Sequence, residues 1–185
     1  MQANRFLIAA LPVAAIAVAA APGAYAVEYL SVGAALKLMF PDATDFAPVS
    51  LALTIEQLRD LDARIRPSGG ARVPRVIEVR RDGREIGRVY LDGVIGKTEL
   101  IDYATAIDAD GRVRQVEILT YRESHGYEVR NPRWRQQFVG KGVTTPPALG
   151  DGIANISGAT LSCRHLTDGV RRLLMLHAAD AAART

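Results

Sequence analysis

The stretch from residue 75 to residue 121 limits the fold more than any other part of the chain. Polar and apolar residues alternate along it, which is the two-residue period of a half-buried β-strand. Asp82-Gly83 and Asp110-Gly111 interrupt the alternation, and Asp-Gly is a strong signal for a tight hairpin. The pattern therefore predicts an antiparallel meander of four strands, at about 76–80, 86–94, 100–107 and 113–121.

Helical patterns lie on both sides of this meander. Tyr29 to Phe40 and Thr54 to Ile65 carry apolar residues at helical spacing, with a loop predicted from Asp42 to Pro48 and a linker at 66–70. A short helix is predicted after Asn131-Pro132, ending near Phe138. The last helix is predicted from Thr160 to about His177, because one face of it is apolar: Cys163, Leu166, Val170, Leu173, Leu174 and His177.

These elements together predict an α+β fold, a small antiparallel sheet with N-terminal helices and a C-terminal helix packed on it. We divide the chain into a targeting segment (1–26), an N-terminal helical segment (27–73), a main domain (74–177) and a frayed tail (178–185).

The first 26 residues have the pattern of an export signal. Arg5 is their only charge, Phe6 to Ala21 is almost wholly apolar, and Ala24-Tyr25-Ala26 places small residues at a cleavage position. The alternative is a retained membrane anchor, although the apolar run is short for a span. Either interpretation predicts a periplasmic domain, free or attached to the outer face of the membrane.

Composition excludes several classes of function. A net charge of +3 is too weak to indicate nucleic-acid binding. Cys163 is the only cysteine, so the chain has no internal disulfide and no cysteine metal site, and we expect a buried, inert thiol. The three histidines lie on separate elements or share one helix without forming a ligand set. Gly96-Lys97-Thr98 resembles the end of a phosphate-binding loop, but Leu91 replaces the required glycine and a strand follows.

The segment Asn155 to Ser162 lies where a loop meets the predicted last helix. Gly158 allows close approach of the backbone, and three hydroxyls lie around it, on Ser157, Thr160 and Ser162. Free N–H groups and the helix dipole at such a junction favour a phosphate. The alternative is that these hydroxyls only cap the helix.

Ser157-Gly158-Ala159-Thr160 resembles the flavinylation motif of the FMN-binding domain family. That family includes the periplasmic G subunit of the Rnf electron-transport complex and the C subunit of the sodium-translocating NADH:quinone reductase. The resemblance implies that FMN is joined through its phosphate to Thr160. It also implies that Ser157 and Gly158 shape the loop and support its recognition by a flavin transferase. Three further residues are implied to contribute to the cofactor site: Asn155, Ala159 and Ser162.

A second segment is similar to the same family. Its members carry a Glu-Thr-Pro-Gly-like turn after a strand, then an aromatic residue, then a Phe-x-Gly-Lys-like stretch. The chain has Phe138-Val139-Gly140-Lys141 at the later position. Tyr127 and Trp134 are the aromatic candidates to face the isoalloxazine ring, and the alternative for each is a place in the core. The resemblance implies cofactor contacts from the turn itself: Glu123, Ser124, His125, Gly126 and Tyr127.

The resemblance implies an extracytoplasmic electron carrier with covalent FMN, more a redox module than a stand-alone enzyme. Its partners would be a flavin transferase and membrane or periplasmic redox proteins, with no nucleic acid. Many family members have an aspartate where this chain has Ala154. That difference leaves two alternatives open: a flavin-free exported binding or scaffold domain, and a flavin-dependent reductase of a small extracytoplasmic acceptor.

Overall fold

The structure is a computed structural model that describes residues 27–65 and 72–184. The predicted targeting segment at 1–26 and the predicted linker at 66–70 lie outside the described residues. The strands are β1 (Val27–Glu28), β2 (Asp45–Val49), β3 (Arg75–Arg81), β4 (Arg84–Ile95), β5 (Leu100–Asp108), β6 (Val113–Tyr121), β7 (Ala148–Leu149) and β8 (Gly152–Ile153). The helices are α1 (Val32–Met39), α2 (Ile55–Ile65), α3 (Pro132–Arg135) and α4 (Thr160–Ala183), with 3-10 turns at Tyr127–Arg130 and Gln136–Phe138.

The main sheet has six antiparallel strands in the order β1-β6-β5-β4-β3-β2. Its centre is the predicted meander, and the four predicted strands are confirmed. Asp82 and Gly83, between β3 and β4, have φ angles of 52° and 79°. Both are left-handed, as a tight hairpin turn between twisted strands requires. The α+β prediction is therefore confirmed.

The N-terminal region contains two strands that the sequence pattern did not predict. β2 lies where a loop was predicted, and it pairs with β3 along its whole length, from Asp45 opposite Arg80 to Val49 opposite Val76. β1 pairs with the end of β6. Both are edge strands, and Pro48 within β2 obscures a pattern that is already short. Segment 27–73 is thus not purely helical.

The sheet has a core on each face. One core cluster combines sheet residues such as Tyr90, Tyr103 and Ile107 with α4, and the other joins α1 to the opposite face through Ala35 and Met39. All six residues of the predicted apolar face of α4 are buried. No helix within the described ranges is long and apolar enough to cross a membrane.

The C-terminal helix is longer than predicted. It continues past His177 to Ala183, so the frayed tail predicted from residue 178 is wrong over most of its length. The side chain of Asp180 is fully buried and lies 2.7 Å from Nη1 of Arg88 on β4. This ion pair holds the last turns of α4 against the sheet, and alanines favour the helix there.

Arg172 forms a second buried ionic cluster in the middle of α4. Its guanidinium donates to both carboxylate oxygens of Asp62 on α2 and lies 3.1 Å from the carboxylate of Asp92 on β4. It also donates to the backbone carbonyl of Arg72. One cation therefore joins helix, sheet and N-terminal segment. Removing it takes from two buried carboxylates the guanidinium that pairs with both, which is costly.

We expect Arg172→Ala to lower the free energy of unfolding by about 3–5 kcal/mol, because it breaks this buried cluster. Chemical denaturation of purified protein checks this. Arg171→Ala is the matched control, since Arg171 pairs with Asp168 at the half-exposed surface and such pairs contribute about 0–1 kcal/mol. Equal effects of the two substitutions would contradict the assignment.

Gly169 lets α4 approach β5 closely. A Cβ atom at this position would lie 2.4 Å from the hydroxyl oxygen of Tyr103 and 3.0 Å from Cγ1 of Val94. An alanine would favour the helix by itself, but here no room exists for its methyl group. The glycine is therefore explained by packing against the sheet.

We expect Gly169→Ala to destabilise the protein by about 1–3 kcal/mol through overpacking. Gly33→Ala, in α1, is the control: its Cβ would meet nothing within 4 Å, so it should stabilise by about 1 kcal/mol. Thermal denaturation of both variants should show a lower melting temperature for Gly169→Ala and a higher one for Gly33→Ala. Stabilisation by Gly169→Ala would show that α4 moves freely on β5.

Candidate functional site

Within the described residues, the N-terminus of α4 has no side-chain cap from its N-cap residue. Ala159 occupies the N-cap position, with φ −118° and ψ 18°, and no side chain caps the helix there. The first turn also contains no acidic residue. The interpretation of the Ser and Thr hydroxyls as helix caps is therefore wrong. The first N–H groups of a 24-residue helix and the positive end of its dipole are available to an anion.

Thr160 differs from the other hydroxyl residues of α4. It is the first residue of the helix and is exposed, and its Oγ1 accepts a hydrogen bond from Nδ2 of Asn155 at 3.2 Å. Ser162 is only 3% exposed and faces the hydroxyl of Tyr121 at 3.5 Å. Thr167 is buried and donates to the carbonyl of Cys163 at 2.7 Å. Thr160 is thus the hydroxyl of α4 that faces solvent.

The loop before α4 is held from both ends. Ala159 donates its N–H to the carbonyl of Ile156 at 3.0 Å, which closes a turn around Ser157 and Gly158. Gly158 has φ 86°, a left-handed conformation that favours glycine. Ser157 and Gly158 are exposed, whereas Ala159 is buried. The motif therefore presents its hydroxyls on a short turn fixed at its buried end.

Trp134 anchors the other end of this loop. Its Nε1 donates to the carbonyl of Ala154 at 2.7 Å, and the N–H of Ala154 donates to Oε1 of Gln137 at 2.8 Å. The Trp134 ring is buried and packs edge-on against Phe138, with centroids 5.2 Å apart. Trp134 is therefore a core residue that positions the loop, and its ring does not face solvent.

The predicted turn at 123–127 packs directly against the start of α4. Gly126 has φ 81°, and a Cβ there would lie 2.9 Å from Oη of Tyr121, 3.1 Å from Oγ of Ser162 and 3.4 Å from Cβ of Ala159. Only glycine fits both the conformation and the space. The two segments that resemble the family, far apart in sequence, thus come together in space.

Tyr121 locks this turn in place. Its hydroxyl donates to the carbonyl of His125 at 2.6 Å. Burial raises the pKa of Tyr121, so the hydroxyl remains a donor. Burial also raises the pKa of the Cys163 thiol, as expected for an inert cysteine beneath the site. Tyr121 was not among the predicted site residues, since a tyrosine at the end of a strand carries no distinct sequence signal.

The side chain of Glu123 supports a neighbouring turn. Its Oε1 accepts from the N–H groups of Thr98 and Glu99, at 2.6 Å and 2.8 Å. Burial opposes ionisation, but these backbone donors outweigh it, so the pKa of Glu123 is lowered. A Cβ on Gly96 would lie 2.7 Å from the same oxygen. Gly96-Lys97-Thr98 is therefore part of the turn between β4 and β5, which is held by hydrogen bonds to this carboxylate. It is not the nucleotide-binding loop that its sequence resembles.

The remaining residues of the turn are accessible. Ser124 and His125 are exposed, with Oγ and Nδ1 2.9 Å apart. Tyr127 is 58% exposed, next to Gly126, and Leu161, beside Thr160, is 41% exposed. An aromatic and an aliphatic side chain therefore lie on the accessible surface around the start of α4.

The stretch from Phe138 to Lys141 has a structural place in the fold. Phe138 is buried in the core, and the carbonyl of Lys141 accepts from the N–H of Val113 at 2.8 Å. The Lys141 ammonium lies against Gly152, where a Cβ would be 2.7 Å from Nζ. In the part of the chain that the structure describes, no group of three or more His, Cys, Asp or Glu side chains could hold a metal ion.

The fold and the site together define a class: an α+β domain that offers an exposed hydroxyl, an uncapped helix N-terminus and a glycine turn to a phosphorylated ligand. Residues 96–175 match the sequence model of the FMN-binding domain family, which supports an FMN-binding domain over this part of the chain. The family identifies FMN as the cofactor and indicates flavin binding and electron transfer as the general role. No curated protein matches the chain.

We expect Gly126→Ala to lower the free energy of unfolding by about 2–5 kcal/mol. A left-handed alanine costs about 1–2 kcal/mol, and contact with Tyr121 and Ser162 adds about 1–3 kcal/mol. Gly150→Ala is the control. Gly150 has a similar φ of 84°, but a Cβ there would meet nothing within 4 Å, so only the conformational cost of a left-handed alanine should appear. Urea denaturation measures the free energy of unfolding of both variants. An equal decrease in the two would show that the turn does not pack on α4.

Proposed function

We propose that this protein is an extracytoplasmic electron carrier with FMN attached covalently, through a phosphoester, to Thr160. The observation that carries the proposal is that Thr160 bears the exposed hydroxyl of α4, at the N-terminus of this helix, where the N-cap residue provides no side-chain cap. The other hydroxyls of α4 discussed above are buried, on Ser162 and Thr167. The family match adds FMN as the cofactor.

The residues around Thr160 fit a phosphodiester. The free N–H groups of the first turn of α4 can donate to its oxygens, and the helix dipole favours its negative charge. Arg164 is exposed and lies four residues after Thr160, hence on the same side of the helix. With no acidic residue in that turn, the local charge favours an anion. Gly158 leaves room on the other side, since a Cβ there would meet nothing within 4 Å.

The turn at 123–127 fits the ring end of the cofactor. Tyr127 is the exposed aromatic side chain closest in sequence to Gly126, whose packing against Ala159 places this turn beside the anchor. When bound, FMN supplies one- and two-electron redox chemistry. The chain's own contribution would be to hold the phosphate at α4, offer an aromatic surface to the ring and orient it for partners. Trp134 is buried and would act only through the loop.

The proposed location and partners depend on the first 26 residues and on the motif. A cleaved signal, or the alternative anchor, would place residues 27–185 in the periplasm. A covalent cofactor suits that place, because a lost cofactor could not be rebound from a cytoplasmic pool. The partners would be a flavin transferase acting on Thr160 and electron donors and acceptors in the membrane or periplasm.

One observation supports each of two alternative functions. Ala154, in place of a common aspartate, motivates a flavin-free scaffold domain. The accessible surface around Tyr127 motivates a reductase of a small acceptor. Yellow colour that survives denaturation would exclude the scaffold, and turnover of a small acceptor without a protein partner would favour the reductase.

We expect the mature protein, purified from cells that express a flavin transferase, to carry an added mass of about 438 Da, the value for an FMN phosphoester with loss of water. Thr160→Ala should abolish the addition and leave unfolding nearly unchanged, because the side chain is exposed. Thr160→Ser is the matched control and should retain it. Intact mass and peptide mapping check all three.

Two outcomes would count against the proposal in different ways. Retained addition in Thr160→Ala would move the anchor to another hydroxyl, of which Ser157 is exposed and Ser162 is not. An unmodified, colourless wild-type protein under these conditions would favour the flavin-free scaffold.

A further inference from the structure

Among the residues at 27–65 and 72–184, the hydroxyl of Thr160 has one side-chain partner, the amide of Asn155 at 3.2 Å. A threonine hydroxyl has two acceptor lone pairs and one proton. The amide occupies one lone pair, so the second lone pair and the O–H remain for a reactant and a base. A threonine in a helix can also bond a carbonyl of the preceding turn, as Thr167 does with Cys163. The contact with Asn155 holds Thr160 in a different arrangement.

Asn155 is itself well placed to hold the hydroxyl. The preceding residue, Ala154, is fixed by Trp134 and Gln137 through both of its backbone groups. The following residue, Ile156, accepts the N–H of Ala159. The Asn155 side chain therefore extends from a backbone tied down on both sides, five residues before its partner.

We propose that Asn155 is a positioning residue for covalent flavinylation, which fixes the Thr160 hydroxyl for attack on the flavin phosphate. The inference rests on the proposed function, since it needs Thr160 to be the anchor. Esterification in water needs an activated phosphate, so the donor is a flavin phosphoanhydride such as FAD. Oγ1 of Thr160 forms a bond to the flavin-side phosphorus, the anhydride P–O bond breaks, AMP leaves, and the hydroxyl proton passes to a base of the transferase.

The neutral amide suits this task better than a carboxylate. It donates an N–H to Oγ1 and brings no negative charge close to the incoming phosphate. An ionised aspartate at 155 would have the same size but no donor, and it would repel the phosphate. The isosteric change Asn155→Asp therefore separates the loss of the donor from the loss of the side chain.

The test uses full-length apo protein from cells without a flavin transferase, with purified transferase and FAD. Initial rates of flavin incorporation are followed by in-gel flavin fluorescence and intact mass. We expect Asn155→Ala to lower kcat for transfer roughly tenfold or more, as misplacement of a reacting group does. KM for the protein substrate and the melting temperature should stay unchanged, and the reaction should still reach one FMN per chain.

At neutral pH, Asn155→Asp should lower kcat for flavin transfer as much as Asn155→Ala does. Relative to wild type at each pH, its rate should recover as the pH falls and the carboxyl gains a proton that it can donate. A purely structural role of residue 155 would give no such pH profile. Asp151→Asn, an exposed change in the same loop region, is the control and should match wild type.

The outcomes separate the two proposals. Wild type that remains unmodified overturns the proposed function and this inference together. Wild type modified at Thr160, with Asn155→Ala equal to it in kcat, overturns only the positioning role. A raised KM with unchanged kcat would also overturn it, because Asn155 would then be a recognition contact for the transferase. If Asn155→Ala proves less stable, the isosteric Asn155→Asp decides.

Discussion

The attachment of α4 to the sheet by buried ion pairs is the interaction on which the site depends. Arg172 joins α4 to α2 and β4 through Asp62 and Asp92, and Asp180 binds Arg88 near the end of the helix. Buried charges tolerate little displacement, because any loss of contact leaves an unpaired charge in a low dielectric. They therefore fix both the position and the rotation of α4, and with them the direction in which Thr160 faces at its first residue.

The two parts of the site meet through a close approach that only a glycine permits. Gly126 lies against Tyr121, Ser162 and Ala159 with no room for a side chain. The carbonyl just before it is bound by Tyr121. The turn and the helix start thus behave as one rigid unit, which the core beneath supports through Cys163. Accessible groups, Thr160 and Tyr127, lie on its surface, so rigidity and exposure are combined within a few residues.

Much of this arrangement follows from the sequence, and the exceptions have physical causes. The four central strands and the apolar face of α4 were predictable, because period and Asp-Gly turns are local signals. β2 was not, since an edge strand with a proline gains its structure from pairing with β3. The end of α4 was misplaced because a long-range ion pair, Asp180 with Arg88, extends it. The motif at Thr160 was visible by resemblance, but the missing cap and the role of Trp134 required the fold.

The missing cap has a consequence for the order of maturation. A helix that begins at Ala159 without a capping side chain is incomplete at the end where its backbone donors are concentrated. A phosphate joined to Thr160, as proposed, would supply the acceptor that the side chain of Ala159 does not provide. The modifying enzyme would then meet its target only where distant segments have already assembled around Gly126. Under the proposed function, attachment of the cofactor would thereby mark those molecules that have folded correctly.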